Sequence, residues 1–193
     1  QVIAEDVDMG HKVWRAFLSV TEGPDGAPIH AIERIGEGPW YDANGRLIAT
    51  DVAGLLNTRP DGDAQAVEDL SDEFGVPLSS YGDSHDILTG SGTDGRLGDD
   101  DPESTCLDWT SDDEDVGGGA LRCGHAWPRS LNGGGRPGRP GGGGRDDGSH
   151  WIQDHPLRGC APGVNLVQNG AGTGDCVGCN GGYGGFYCFA LAP

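Results

Sequence analysis

A single lysine, Lys12, stands in this chain of 193 residues, and twelve basic residues face 31 acids for a formal charge of -19. A surface so poor in cations repels phosphate backbones and anionic lipid head groups, which excludes nucleic acid as a natural partner. No apolar run approaches the ~20 residues that cross a bilayer, so no membrane span is expected. The chain also lacks a Gly-x-Ser-x-Gly elbow and a His-Glu-x-x-His helix, the local signatures of common hydrolytic sites. Its glycine runs lack the strand-to-helix setting of a phosphate cradle. Together these absences point away from an enzyme.

What is abundant is glycine, at 37 residues, while only 35% of the chain is apolar. Each ordered glycine gives up the most backbone freedom on folding, so a modest core and long loops are expected. Six cysteines follow, at 106, 123, 160, 176, 179 and 188, with none before Cys106. In a loop-rich chain with a thin core they read as structural disulfides formed in an oxidising compartment. The expected location is secreted, periplasmic or at the cell surface. Gln1 reads as a processed N-terminus, with a lost lipid anchor as one option.

Along the chain, Val2 to Met9 suggests a short helix, and Val13 to Val20 a strand rich in aromatic and β-branched residues. Ile29 to Ile35 reads as a short helix or turn. Trp40-Tyr41 and Arg46 to Ala49 flank Asp42-Ala43-Asn44-Gly45, a hairpin whose Asn-Gly pair tolerates positive φ. His85 to Ser91 reads as a buried strand entering a loop, Cys106 to Thr110 as another strand, and Gly184 to Ala190 as a closing strand. Residues 111–148 are rich in glycine, arginine and acids, and read as one low-complexity insertion within a single domain, 1–193.

Several segments resemble endostatin, the C-terminal domain of collagens XV and XVIII. They are Arg15-Ala16-Phe17-Leu18-Ser19, the loop Gly90-Ser91-Gly92-Thr93-Asp94-Gly95-Arg96, Cys106-Leu107-Asp108-Trp109, and the last strand with Cys188. The stretch His85 to Ser91, with Gly38-Pro39-Trp40-Tyr41, is similar to secreted bacterial lectin-like proteins. The resemblance spans residues 15 to 190 and leaves 111–148 without a counterpart. It implies an α+β, C-type-lectin-like, disulfide-stapled fold without catalytic activity. It also implies a Cys106–Cys160 bond and a partner for Cys188 just before the first residue. Cys123 is then expected to bond to Cys176 or Cys179, with one cysteine left over.

Three kinds of site remain open. Asp94, Asp99, Asp100, Asp101 and Glu103 crowd one loop, and Asp112, Asp113, Glu114 and Asp115 another, which makes calcium a candidate ligand although no cofactor is required. Cys176 and Cys179 with Cys123 and His125 would alternatively suit zinc. Arg122, Trp127, Arg129, Arg136 and Arg139 concentrate positive charge beside an exposed tryptophan, as a protein-docking loop would. Trp109 is expected in the core. The favoured reading is an exported, non-enzymatic interaction module, an accessory or structural subunit of a protein assembly. A calcium-dependent glycan-binding protein is the alternative, and a hydrolase built on His85 and Asp86 a third.

Overall fold

A computed structural model of the protein describes residues 2–128, 149–167 and 174–191. It is a mixed helix-and-strand structure carrying two disulfides. Its short helices include α1 (Val2–Asp6), α2 (Val52–Leu55) and α3 (Ala64–Glu68). The last two start on aspartates, Asp51 and Asp63, whose carboxylates accept free amides of the first turn. Strands β1 (Trp14–Ala16) and β8 (Cys188–Ala190) pair antiparallel, and β2 (Trp40–Tyr41) and β3 (Leu47–Ala49) form a hairpin. At its turn Gly45 has φ +76° and donates its amide to Asp42 O at 3.0 Å.

A third sheet has four strands. They are β4 (Asp86–Leu88), β5 (Arg122–His125), β6 (His155–Pro156) and β7 (Gly185–Phe186), in the order β6-β5-β4-β7. Only the β4–β7 pairing is parallel. Side chains alternate across β4. Ile87 joins the main core with Phe17, Trp40, Leu55, Trp151 and Phe189, while Leu88 joins a second cluster with Cys106, Leu121, Cys123, Leu157 and Cys160. Asp86 shares the Leu88 face.

The presence of β5 corrects the reading of 111–148 as one loop. Leu121, Cys123, Ala126 and Trp127 are buried, so this part of the supposed insertion is central sheet. Its glycine misled for a physical reason. A Cβ on Gly124 would lie 2.0 Å from the Trp151 carbonyl oxygen, so the residue marks close packing rather than a turn. Residues 129–148, with Arg129, Arg136 and Arg139, lie outside the described residues.

Cys106 to Thr110 is likewise not a strand. Cys106, Leu107, Asp108 and Trp109 take φ of +51°, +52°, +56° and +64°, a left-handed turn of four non-glycine residues. Each such residue costs roughly 1–2 kcal/mol, so the turn must be held from outside. The Cys106–Cys160 bond holds one end and Trp109 Nε1, donating to Ser19 O at 2.8 Å, holds the other. Trp109 is partly buried beside the second cluster. In the middle, the Asp108 carboxylate accepts from the Thr21 amide at 2.6 Å, the Glu22 amide at 3.2 Å and the Thr105 hydroxyl at 3.0 Å.

Burial works to raise the Asp108 pKa, but the hydrogen bonds from Thr21, Thr105 and Glu22 outweigh it and hold the carboxyl below its ordinary value. Asp108→Asn keeps the shape and tolerates the left-handed backbone, yet removes the charge. We expect a loss of about 1–2 kcal/mol at pH 7 by urea denaturation. A depressed carboxyl stabilises above its unfolded pKa of roughly 3.9 and loses that stabilisation as pH falls through the depressed value. The gap between variant and wild type therefore closes in acid. A gap that stays constant down to pH 2 would assign the effect to packing instead.

Candidate metal centre

Four ligand-type side chains meet on the Asp86 face of the sheet. Asp86 of β4 stands directly opposite His125 of β5, and β5 hands on to β6 through the Cys123–His155 pair. His85 immediately precedes β4. One ligand atom from each of His85, Asp86, His125 and His155 lies within 4.8 Å of all the others. No other set of three or more metal-ligand side chains converges in this way among the described residues. The imidazoles crowd edge to face, with ring centroids 4.4 Å apart for His85 and His125 and 5.0 Å for His125 and His155.

Asp86 Oδ1 is the common point. It lies 3.2 Å from His85 Nε2, 3.4 Å from His125 Nε2 and 3.1 Å from His155 Nε2. The Asp86 and His85 side chains are fully buried, and His155 provides the edge that reaches solvent. Neither Asp86 oxygen and neither His125 ring nitrogen makes a hydrogen bond of ordinary geometry. A buried carboxylate without such partners is costly. A cation held between the four atoms removes that cost. Tetrahedral zinc, with ligands at 2.0–2.2 Å, places neighbouring ligand atoms roughly 3.3–3.5 Å apart, close to the three separations measured from Asp86 Oδ1.

The surroundings orient the ligands. Asp83 Oδ1 lies 2.8 Å from His85 Nδ1, which leaves Nε2 directed at Asp86. Cys123 Sγ lies 3.6 Å from His155 Nδ1, and Asp154 Oδ2 lies 3.2 Å from His125 Nε2 at the surface side. Burial works to raise the Asp86 pKa, but the imidazoles of His125 and His155 and the charge on His85 outweigh it, so the carboxyl stays ionised well below its usual range. Burial opposes protonation of His155, yet Asp86 and Cys123 push its pKa up to about 11 in the metal-free protein. Three imidazoles and a carboxylate suit zinc, copper, iron or nickel. Calcium, which takes an all-oxygen shell, does not fit here.

The residues expected to act are placed elsewhere. The calcium candidates Asp94, Asp99 and Asp101 each cap their own loop, accepting the amide of Arg96, Asp101 and Glu103 respectively. Asp100 and Glu103 are exposed, and these acids do not gather around one point. Of the docking candidates, Arg122 lies on β5 with Nη2 3.4 Å from Asp99 Oδ2. Trp127 was expected at the surface and is 4% exposed, its ring edge-on to His85 at 5.6 Å. It fills space behind the ligand cluster because Ala126 and Trp127 continue the buried β5 strand inward.

The cysteines also need correction. Cys106 bonds to Cys160, but Cys176 bonds to Cys179, so neither is available to Cys123. Cys123 is a buried free thiol whose pKa burial pushes up to about 11, and Cys188 is an exposed one. This removes the three-thiolate zinc site and leaves His125 as the one member of that set that belongs to the His/Asp cluster. His155 was not singled out at all. The readable signal was the pair His85-Asp86 at the mouth of a wholly buried strand. Its partners come from strands that no sequence spacing ties to it. Comparison of the chain with protein-family models, with curated proteins and with solved structures finds no match.

Proposed function

We propose that this chain is a non-enzymatic, exported module that holds one divalent transition-metal ion, zinc foremost, between His85, Asp86, His125 and His155. The observation that carries this reading is the set of three imidazole nitrogens 3.1–3.4 Å from one buried carboxylate oxygen. Four protein ligands complete a tetrahedral shell and leave no open position for substrate, the pattern of a structural rather than a catalytic zinc. The ion would cross-link β4, β5 and β6, three of the four strands of the sheet. Metal cross-links and disulfides do the same work in a chain with so thin a core.

The two disulfides support an oxidising setting. The order of the motifs from Arg15 to Cys188, with the Cys106–Cys160 bond that the resemblance implies, supports an endostatin-related, lectin-like architecture. Within it the module serves as an accessory or structural subunit docked on a protein assembly. A purified chain that is monomeric and recovers no partner from its source would reject that docking role.

The metal reading is tested by native mass spectrometry of the stripped protein titrated with zinc. We expect one ion per wild-type chain. His125→Gln and Asp86→Asn should lose it while their circular dichroism stays unchanged. Wild type that takes up no zinc, or variants that bind as well as wild type, would overturn the reading.

A further inference from the structure

The stretch from Cys176 to Gly182 forms the wall behind two of the four ligands. Gly181 packs on His85 so tightly that a Cβ there would fall 2.2 Å from ring atom Cε1, and its carbonyl accepts the Asp86 amide at 2.8 Å. Gly181 in turn donates to Gly178 O at 3.3 Å. Gly182 exchanges two backbone hydrogen bonds of 3.0 Å with Asn165, whose side-chain amide donates to Cys179 O at 3.0 Å. The positions of His85 and Asp86 are thus referred, through a few backbone contacts, to the Cys176–Cys179 bridge.

That bridge differs from its companion. Cys106–Cys160 spans a sequence separation of 54 and is packed into the second core cluster. Cys176–Cys179 spans a separation of 3, so it removes little freedom from the unfolded chain. It also lines a surface pocket of about 340 Å³, together with Pro162, Gly163, Val164 and Asp175. Gly163 packs directly on Cys176, where a Cβ would come 2.1 Å from the sulfur, and Cys176 and Cys179 are each 6% exposed, so a reductant must enter by that pocket. A short bridge beside a pocket, wired to a ligand cluster, is poorly explained as a staple.

We propose that Cys176–Cys179 is an exchangeable disulfide, opened by a dithiol, whose redox state sets the metal affinity of the His85, Asp86, His125 and His155 cluster; this rests on the metal reading above. One thiolate of the reductant attacks a bridge sulfur, forming a mixed disulfide and releasing the other cysteine as a thiolate. The second reductant sulfur then closes on the first, so the reductant leaves as its own disulfide. Two electrons and two protons end on Cys176 and Cys179. Glu114 and Asp175 at the pocket favour a neutral or cationic dithiol over small anionic thiols. Opening frees the Gly178–Gly182 wall, and His85 and Asp86 lose the backbone that positions them.

The test begins with zinc titration of the oxidised, metal-stripped protein. The protein is then treated with reduced thioredoxin under anoxia, separated by gel filtration, titrated again and mapped by alkylation and mass spectrometry. We expect alkylated Cys176 and Cys179, an intact Cys106–Cys160 bond, and zinc affinity lower by about 10–100-fold, the range seen when groups supporting metal ligands are lost. Reoxidation should restore the affinity. The double variant Cys176→Ser, Cys179→Ser should show the same weakening with unchanged circular dichroism. A bridge that resists reduction, both bridges opening together, or an opened protein that keeps its oxidised affinity would each overturn the proposal. Oxidised protein that binds no zinc before any reductant is added would overturn the metal reading itself.

Discussion

Under the proposed metal reading, saturating zinc should raise the melting temperature of the metal-stripped protein by about 5–10 °C. The size follows from mass action: an ion that binds only the folded chain, at a hundredfold excess over its dissociation constant, stabilises by about 2.7 kcal/mol. A chain of this length gains roughly 2–4 °C per kcal/mol. A chelator should reverse the shift. Calcium at the same concentration should leave the melting temperature where it was, because three imidazoles offer it no oxygen shell. Differential scanning calorimetry with each ion decides the matter. A calcium response with no zinc response would return the metal question to the acidic loops around Asp94 and Asp99.

Gly181→Ala is expected to damage both the fold and the site. Gly181 has φ +145°, a backbone that side chains rarely adopt, and the added carbon would meet His85 Cε1 at 2.2 Å and Nδ1 at 2.7 Å. The imidazole must move, and with it the contact that Asp83 makes at Nδ1. We expect a loss of about 2–4 kcal/mol from backbone strain and overpacking. Zinc affinity should fall by about tenfold or more through the displaced ligand. Gly118→Ala serves as the control, because a Cβ there meets nothing within 4 Å, and it should stay within about 0.5 kcal/mol of wild type. Denaturant titration and zinc titration of the two variants side by side give the answer. Wild-type zinc binding in Gly181→Ala would mean that the wall does not position His85.

The parts of the fold legible in the sequence are those dictated by neighbours along the chain. The hairpin of β2 and β3 follows from Asn44-Gly45, and the buried β4 follows from the apolar, β-branched run after His85. The parts that were not legible depend on contacts across the fold. β5 hides in Arg-Cys-Gly-His because Gly124 is required by the approach of Trp151, a residue far along the chain. The turn at Cys106 to Trp109 looks like a strand by composition, and its left-handed shape is held by the bond to Cys160 and by Ser19, Thr21, Glu22 and Thr105. The His/Asp cluster was half visible. His85-Asp86 stood out as an acid–base pair, while His125 and His155 reach it only through the pairing of β4 with β5 and β5 with β6. The Cys106–Cys160 bond is the one the resemblance implies, while nothing in the sequence indicated that Cys176 and Cys179 would satisfy each other.

The parallel pairing of β4 with β7 has a consequence for biosynthesis. Asp86–Leu88 leaves the ribosome long before Gly185–Phe186, and until the later strand arrives one edge of β4 has no neighbour in the sheet. Pairings so distant in sequence form slowly, because much of the chain must be ordered before they close. Gly181, which backs His85, is made just before β7, so the ligand pocket is also completed late. Late closure of this sheet would suit the exported reading proposed above, in which the chain crosses a membrane before it folds.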